Sequence, residues 1–390
     1  MNFKNTVKET KMKKNQQNNN EKGNEKPLNE SQLNEISELS KKGYQSLKEN
    51  VLDEADEYFN KILEIDEENN YALVGLGDSA RKKKQHNRAI DYYKQCLKHH
   101  PGNNYALFGL ADCYKALNQY SKAIKIWEQY LLHDNENITV LTRVADAYRK
   151  VRDFSRSREI YMKVLNMESD NPYALIGLGH LHYDFKEYEE AMKYWERMVE
   201  VNENDVDIRV LTSLGNCHRK LKTFDRGLYY FKCALEIEPN NFYALFGLAD
   251  CYRGLNNHEK SLEYWKRILE IDPNNKVILT RAGDAYRNMG EYKEAETCYK
   301  KALNIEFDLY AILGLALINK LRGNYKEAID SLYGLMKNDP KNHRLYTEIA
   351  DSYIKMNQRE RAIEVLNQFQ RLGIRNQYVT EMFEKIYQEQ

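Results

Sequence analysis

Acidic and basic side chains recur three residues apart at regular intervals along the chain. On a helix, a carboxylate and a cation at this spacing share one face and can pair for about 0.2–0.5 kcal/mol. The same groups also offer acceptors and forked donors to the backbone and side chains of a bound peptide. Solvated surface pairs, multiplied by duplication, are the alternative interpretation. The pairs are Asp78 with Arg81, Asp112 with Lys115, Asp146 with Arg149, Asp250 with Arg253 and Asp284 with Arg287; Asp351, Arg219 and Lys320 continue the two rows.

At the start of five predicted helices, a tyrosine at the second position precedes a glycine at the sixth. A glycine inside a helix costs about 1 kcal/mol relative to alanine, so it needs a structural reason. Because helical side chains lean toward the N-terminus, the missing side chain would leave room beside the tyrosine ring for a bound strand. Close contact with a neighbouring helix is the alternative reason. The pairs are Tyr71 with Gly75, Tyr105 with Gly109, Tyr173 with Gly177, Tyr243 with Gly247 and Tyr310 with Gly314.

No familiar catalytic or metal-binding motif occurs in the sequence. It contains no GxSxG, Walker-type loop or HExxH, and its six cysteines lack CxxC spacing. His180 and His182 are two residues apart, which on a helix points them in different directions. The cysteines fall inside predicted helices and are typical of buried, reduced thiols. The sequence therefore predicts a non-enzyme without catalytic residues, metal or cofactor.

The acid–base pairs and the tyrosines lie on predicted helices that recur about every 34 residues. In each unit the first helix carries apolar residues three apart followed by a small residue, as at Leu107, Leu110 and Ala111. The second helix has a large aromatic residue at its core position, such as Trp127 or Trp195. Ten units begin near Ile36, Asn70, Asn104, Ile138, Pro172, Ile208, Phe242, Lys276, Leu309 and His343.

A longer repeat is superimposed on the units. Tyr243 follows Tyr105 by 138 residues, and Arg281 follows Arg143 by the same distance. This interval is four units plus a two-residue insertion. We infer that a block of four units was duplicated, so a residue can recur whether or not it has a function.

Composition limits the partners. The 59 Lys and Arg residues balance the 59 Asp and Glu residues, and no long basic run stands out, so nucleic acid is not the expected partner. The sequence contains no run of 18 or more apolar residues, so it predicts no membrane-spanning helix. The polar N-terminus lacks the apolar segment of a secretory signal. Together with the cysteine pattern, these features predict a cytoplasmic protein.

The two ends of the chain differ from the units between them. Residues 1–30 have almost no apolar side chains and are predicted to form a disordered polar tail. Residues 376–389 are predicted to form one more helix that caps the last hairpin. Its apolar side carries Tyr378, Met382, Phe383, Ile386 and Tyr387.

Over residues 36–374 the units resemble the tetratricopeptide repeat, a helix–turn–helix unit of about 34 residues. The resemblance implies an all-α fold, a right-handed α-solenoid or superhelix of stacked hairpins. It also implies that positions 2, 5, 9 and 12 of each unit face a concave groove lined by the first helices. Members that clamp a chaperone's C-terminal carboxylate have lysine at position 5 and asparagine at position 9 of an early unit. Val74 and Asp78 stand there instead, so this clamp is not expected.

The leading functional hypothesis is a protein-interaction scaffold that holds a peptide or an extended partner segment in the groove. Two alternatives stay open: an RNA-associated helical-repeat protein, and a regulatory subunit that binds a catalytic partner by its convex face. The sequence makes no prediction of oligomeric state. The candidate groove residues are Tyr71, Asp78, Arg81, Tyr105, Asp112, Lys115, Arg143, Asp146, Arg149, Tyr173, Arg219, Tyr243, Asp250, Arg253, Arg281, Asp284, Arg287 and Tyr310.

Overall fold

The computed structural model describes residues 28–201 and 206–388. These residues form 21 α-helices and include no β-strand. The helices alternate as first and second members of ten hairpins, and one helix follows the last hairpin. The predicted fold class, an α-solenoid of helical hairpins, is confirmed. The helices are α1 (Glu30–Lys48), α2 (Leu52–Ile65), α3 (Asn70–Lys82), α4 (His86–His99), α5 (Asn104–Ala116), α6 (Tyr120–Leu131), α7 (Ile138–Lys150), α8 (Phe154–Met167), α9 (Pro172–Asp184), α10 (Tyr188–Val201), α11 (Ile208–Lys220), α12 (Phe224–Ile237), α13 (Phe242–Gly254), α14 (His258–Ile271), α15 (Lys276–Asn288), α16 (Tyr292–Ile305), α17 (Leu309–Leu321), α18 (Tyr325–Met336), α19 (His343–Lys355), α20 (Arg359–Gln370) and α21 (Gln377–Gln388).

The chain divides into two compact units, one ending at Ser169 and the other beginning at Asp170. Within each unit, every helix packs against the next helix in sequence. Some first helices also contact the first helix of the following hairpin, as α3 contacts α5 and α11 contacts α13. First helices therefore lie side by side. We call the surface that they form in each unit its first-helix face.

The first helices begin where an asparagine or aspartate caps them. The side-chain oxygen of Asn103, for example, accepts a hydrogen bond of 3.0 Å from the backbone N–H of Ala106. Such a cap satisfies an N–H that has no partner within the helix and contributes about 1 kcal/mol. From the second hairpin onward, the predicted unit starts coincide with the first residues of these helices. The caps are Asn69, Asn103, Asn137, Asn171, Asp207, Asn241, Asn275, Asp308 and Asn342.

The turn between the two helices of each hairpin contains one residue with a positive φ. Glycine adopts this conformation without strain, and asparagine tolerates it, but other side chains cost roughly 1–2 kcal/mol there. Four hairpins nevertheless have lysine or arginine at this position. The ten residues are Asn50, Lys84, Asn118, Arg152, Lys186, Lys222, Asn256, Gly290, Gly323 and Asn357.

Large aromatic side chains from the second helices fill the space between the hairpins. Trp127, Trp195 and Trp265 are at most 1 % exposed, which confirms their predicted packing role. A Phe or Tyr is buried at the same position of several other hairpins, as at Phe231 and Tyr299. All six cysteines are free thiols; four are buried and two are half-buried.

The ends of the array differ in part from the prediction. Helix α1 begins at Glu30, six residues before the predicted unit start, and Asn29 caps it through a capping box. The predicted tail otherwise lies outside the described residues, apart from residues 28 and 29. Helix α21 packs against α19 and α20 through Val379 and Ile386. Tyr378, predicted to lie on the same apolar side, is instead exposed and stacks on His343.

None of the described helices combines the length and the apolar character that crossing a membrane would require.

Candidate functional site

Five tyrosines on the first helices expose most of their rings. Each is the second residue of its helix, so the cap immediately before the helix fixes its backbone. None of their hydroxyl groups forms a hydrogen bond to the described residues. Large aromatic rings are usually well buried, so a regular series of exposed ones is a surface available to a partner. The exposed fractions are 60 % for Tyr71, 78 % for Tyr105, 72 % for Tyr173, 69 % for Tyr243 and 66 % for Tyr310.

Four of the five glycines that follow these tyrosines do not leave an open notch. A Cβ atom on Gly109 would lie 2.3 Å from Cζ of Tyr93, which belongs to the preceding hairpin. At Gly247 it would lie 2.2 Å from Cζ of Phe231, again in the preceding hairpin. Gly75 and Gly314 meet Phe59 and Tyr299 in the same way. The notch hypothesis was therefore wrong at these four glycines, and the alternative of close contact with the neighbouring hairpin is confirmed for them.

Most of the predicted acid–base pairs form along a single helix. The distance between the carboxylate and the guanidinium is 2.9 Å for Asp78 with Arg81 and 2.7 Å for Asp146 with Arg149. It is 2.6 Å for Asp250 with Arg253 and 3.4 Å for Asp284 with Arg287. Asp112 with Lys115 is the exception, because Lys115 reaches into the next hairpin instead.

Further ion pairs join four of the described first helices to the first helix of the next hairpin. Lys115 lies 3.5 Å from Asp146, and Arg81 lies 3.8 Å from Asp112. In the second unit Arg219 lies 2.8 Å from Asp250. Lys320 lies 2.7 Å from Asp351 in the same arrangement. The two rows of charges therefore form a network that links successive hairpins, which the sequence did not predict.

Two tyrosines of the second helices complete this network. The hydroxyl of Tyr93 donates a hydrogen bond of 2.7 Å to Asp78, and that of Tyr299 donates one of 2.8 Å to Asp284. Sequence reasoning missed both residues as partners of the acidic row. A signal was present, because tyrosine replaces tryptophan or phenylalanine at this core position in these hairpins.

Burial and pairing act in opposite directions on the acidic residues. Burial works to raise the pKa of the Asp250 carboxyl, but the hydrogen bonds and charges of Arg253 and Arg219 outweigh it and hold the pKa below its usual value. At Asp112 burial is the larger effect, and it raises the pKa despite the nearby charges of Arg143 and Arg81. These carboxylates are partly buried parts of the framework, so the interpretation as solvated pairs does not hold for them.

The duplicated residues Arg143 and Arg281 have different surroundings. Nη1 of Arg143 donates a hydrogen bond of 2.8 Å to Asp112, and its guanidinium lies 4.9 Å from the centre of the Phe108 ring. Arg281 is half-buried and has no ion pair or hydrogen bond to any residue that the structure describes. The two copies of the block thus differ at this position: Arg143 is held by a carboxylate, and Arg281 is not held by one among the described residues.

The two histidines of α9 diverge as expected. The ring of His180 packs edge-on against Trp195 at 5.2 Å, whereas Nδ1 of His182 lies 2.6 Å from Glu187. Among the described residues, no three His, Cys, Asp or Glu side chains come together as metal ligands.

The predicted groove residues all lie on first helices, and they separate between the two units. The first unit holds Tyr71, Asp78, Arg81, Tyr105, Asp112, Lys115, Arg143, Asp146 and Arg149, and the second holds Tyr173, Arg219, Tyr243, Asp250, Arg253, Arg281, Asp284, Arg287 and Tyr310.

Comparison with known protein families gives one consistent result. Models of the tetratricopeptide repeat match residues 80–143 and 321–370, 143–205, 242–275, and 278–309. No curated protein matches the chain.

Solved structures of similar fold have low sequence identity. A crystal structure of MamA is 22 % identical, covers 44 % of this chain and 92 % of its own, and has a TM-score of 0.41. PilF of Pseudomonas aeruginosa is 16 % identical, with 55 % and 97 % coverage and a TM-score of 0.46. A tetratricopeptide repeat protein from Parabacteroides merdae is 17 % identical, with 70 % and 94 % coverage and a TM-score of 0.40. Likeness at this level carries no information about function.

Proposed function

Because the chain belongs to the tetratricopeptide repeat family, we propose that it is a non-enzymatic scaffold that binds an extended segment of a partner protein on its first-helix face. Proteins of this family generally mediate protein–protein interactions. An extended segment can run across several first helices and contact one tyrosine from each hairpin that carries one.

The exposure of the five tyrosines is the observation that carries this proposal. Tyrosine is enriched among residues that dominate binding energy, because its large ring loses little conformational entropy and its hydroxyl can form a hydrogen bond. In the first unit, Tyr71 and Tyr105 stand at the same position of successive hairpins, on α3 and α5. The first helices on which they stand are in contact, so one ligand can reach both rings.

The ion-pair network supports a protein partner over a nucleic acid. Binding to a phosphate backbone relies on cations that are free to neutralise it. Arg81, Lys115, Arg149 and Arg219 instead have carboxylate partners within 4 Å. We therefore assign these charges to the framework and the tyrosines to the contact surface.

The reduced thiols support a cytoplasmic location, which we include in the proposal. All six cysteines are free, and burial raises the pKa of Cys96 and Cys113 to about 11, which keeps them protonated and unreactive.

The test begins with peptides selected from a random display library on the intact chain. The double variant Tyr71→Ala, Tyr105→Ala should bind the selected peptides about tenfold or more weakly, as measured by fluorescence polarisation. Tyr229→Ala is the matched control, because Tyr229 is similarly exposed, at 64 %, but lies on the second helix α12. Equal losses in the double variant and the control, or no selected peptide at all, would refute the proposal.

A second candidate function has an observation in its favour. Apolar residues at the C-terminal ends of four successive second helices of the second unit are 45–56 % exposed: Val201, Ile237, Ile271 and Ile305. They favour the regulatory-subunit hypothesis, in which a catalytic partner binds the second-helix side. Co-purification of a catalytic partner with the intact chain, and with a variant in which Ile237 and Ile271 are serine, distinguishes the two functions. The variant should lose the partner only if the partner binds the second helices, because the exposed tyrosines are left intact.

A further inference from the structure

Both copies of the duplicated block carry an aspartate on one first helix and an arginine at the equivalent position of the following first helix, but the two copies pair these residues differently. In the first unit Asp112 accepts its 2.8 Å hydrogen bond from Arg143, in the following hairpin. In the second unit the equivalent Asp250 accepts hydrogen bonds from Arg253 at 2.6 Å and from Arg219 at 2.8 Å. The copy of Arg143, Arg281, is left without a partner among the described residues.

Two differences between the copies accompany the change: Arg253 stands in place of Lys115, and Asn216, which carries no charge to hold Arg219, stands in place of Asp78. Lys115 has a single charged nitrogen, and this nitrogen lies 3.5 Å from Asp146 of the next hairpin. Asp112 therefore remains free to accept the hydrogen bond from Arg143. The equivalent residue in the second unit is Arg253, whose forked guanidinium turns back onto Asp250 through both Nε (2.9 Å) and Nη2 (2.6 Å).

The second oxygen of Asp250 is occupied as well. Arg253 binds Oδ1, and Arg219 binds Oδ2. Because both carboxylate oxygens already accept hydrogen bonds from cations, Asp250 does not capture Arg281 as Asp112 captures Arg143.

We infer that Arg281 binds an aspartate or glutamate side chain of the extended segment that the proposed function places on this face. The inference rests on that proposed function and adds the chemistry of the ligand. A half-buried guanidinium has lost part of its hydration. A carboxylate that binds it therefore forms a charge-assisted hydrogen bond that is stronger than an ion pair between fully exposed side chains. Charge complementarity selects an acidic residue.

The neighbours of Arg281 define what flanks that acidic residue. Tyr243 lies in the preceding hairpin and Tyr310 in the next, and both rings are mostly exposed. Val277, on the same helix as Arg281, is half exposed and occupies the position that tyrosine takes in those hairpins. The ligand of the second unit is therefore an acidic residue with apolar or aromatic residues on either side.

The test uses random peptides displayed on phage and selected against the intact chain, followed by fluorescence polarisation with a selected peptide and its Glu→Gln or Asp→Asn counterpart. Arg281→Gln should weaken binding of the acidic peptide about tenfold and leave the affinity for its amide counterpart unchanged. Lys293→Gln is the matched control: it removes one exposed positive charge from the second helix α16 and should change the affinity for neither peptide.

A charge-conserving variant tests the mechanism itself. Arg253→Lys should release one oxygen of Asp250 to Arg281 and reduce binding of the acidic peptide, although Arg281 and the net charge are unchanged.

The outcomes separate this inference from the proposed function. Selected peptides without enrichment in Asp or Glu, or with affinity that Arg281→Gln does not change, would overturn the inference and leave peptide binding intact. If Arg253→Lys binds the acidic peptide as tightly as the parent, the pairing argument is wrong. Failure to select any peptide would overturn the proposed function, and the inference with it.

Discussion

Replacing Asp250 with alanine should destabilise the second unit more than any other single change in the acidic row. The substitution removes a carboxylate that is only 9 % exposed and that joins Arg253 of its own helix to Arg219 of the preceding hairpin. Two guanidinium groups then lose their shared partner. The same substitution at Asp284 removes a carboxylate that is 32 % exposed and lies 3.4 Å from Arg287.

The burial of the three side chains sets the magnitude. Removing one partner of a fully buried ion pair costs about 3–5 kcal/mol, because the remaining charge stays buried and unpaired. Arg219 is 22 % exposed and Arg253 is 43 % exposed, so both can regain part of their hydration. We therefore expect a loss of about 2 kcal/mol for Asp250→Ala, between the fully buried and surface limits. Asp284→Ala should cost about 1 kcal/mol, mainly through the hydrogen bond from Tyr299.

The pH dependence follows from the direction of the pKa shift. The pKa of Asp250 is lowered in the folded state, so its contribution to stability is present above the unfolded-state pKa. That contribution is lost as the pH falls through the lower, folded-state value. The difference between the parent and Asp250→Ala should therefore be constant around pH 7 and shrink only in strong acid.

Hydrogen exchange monitored by mass spectrometry is the appropriate assay, because a repeat array can unfold locally. Protection should fall in α11 and α13, the helices that Asp250 joins, and remain unchanged in α3 and α5. If Asp250→Ala and Asp284→Ala lower the free energy of opening equally, burial does not control the strength of these pairs and the reasoning is refuted.

Three further predictions concern single positions and can be measured by urea or thermal unfolding. Gly247→Ala should lower the free energy of unfolding by about 1–2 kcal/mol, because the new Cβ meets the buried ring of Phe231, whereas Gly334→Ala has open space and should raise it by up to about 1 kcal/mol. Equal effects would contradict the packing argument. Lys222→Gly should stabilise the chain by about 0.5–1 kcal/mol, because Lys222 has a φ of 60° and is exposed; a loss of stability would mean that the lysine side chain makes a compensating contact. Burial, with a smaller effect of a nearby arginine, lowers the pKa of His218 below 6.5, so the melting temperature should fall as the pH drops below that value, and His218→Gln should flatten the profile.

The helices themselves could be predicted closely from the sequence because their determinants are local. Each first helix from α3 to α19 begins at the predicted unit start, since a cap residue and the first apolar pair lie within a few positions of each other. The first hairpin was the exception. Its helix extends back to Glu30 because Asn29 and Gln32 form a capping box in a stretch that reads as a polar tail.

The partners of the charged residues could not be predicted from the same local rule. Spacing along one helix gives Arg149 its partner Asp146, but it cannot show that Lys115 turns away from Asp112 toward the next hairpin. Side-chain length and the competition between several cations for one carboxylate decide that choice. Neither property is visible in a pattern of positions, so residues that look equivalent in the sequence have different roles in the structure.

The glycines, in contrast, could have been explained from the sequence by comparing each hairpin with the one before it. Wherever the core aromatic residue of a second helix is Phe or Tyr, the sixth position of the next first helix is glycine: Phe59 precedes Gly75, Tyr93 precedes Gly109, Tyr161 precedes Gly177, Phe231 precedes Gly247 and Tyr299 precedes Gly314.

Wherever that residue is tryptophan, the sixth position carries a side chain. Trp127 is followed by Arg143 and Trp265 by Arg281. In the four contacts that the structure describes, the tip of the Phe or Tyr ring occupies the space that a Cβ atom at the sixth position would need, so glycine is required there. Tryptophan in the core thus permits an arginine on the first-helix face of the next hairpin. Whether that arginine serves the framework, as Arg143 does, then depends on whether the neighbouring carboxylate is still free to bind it.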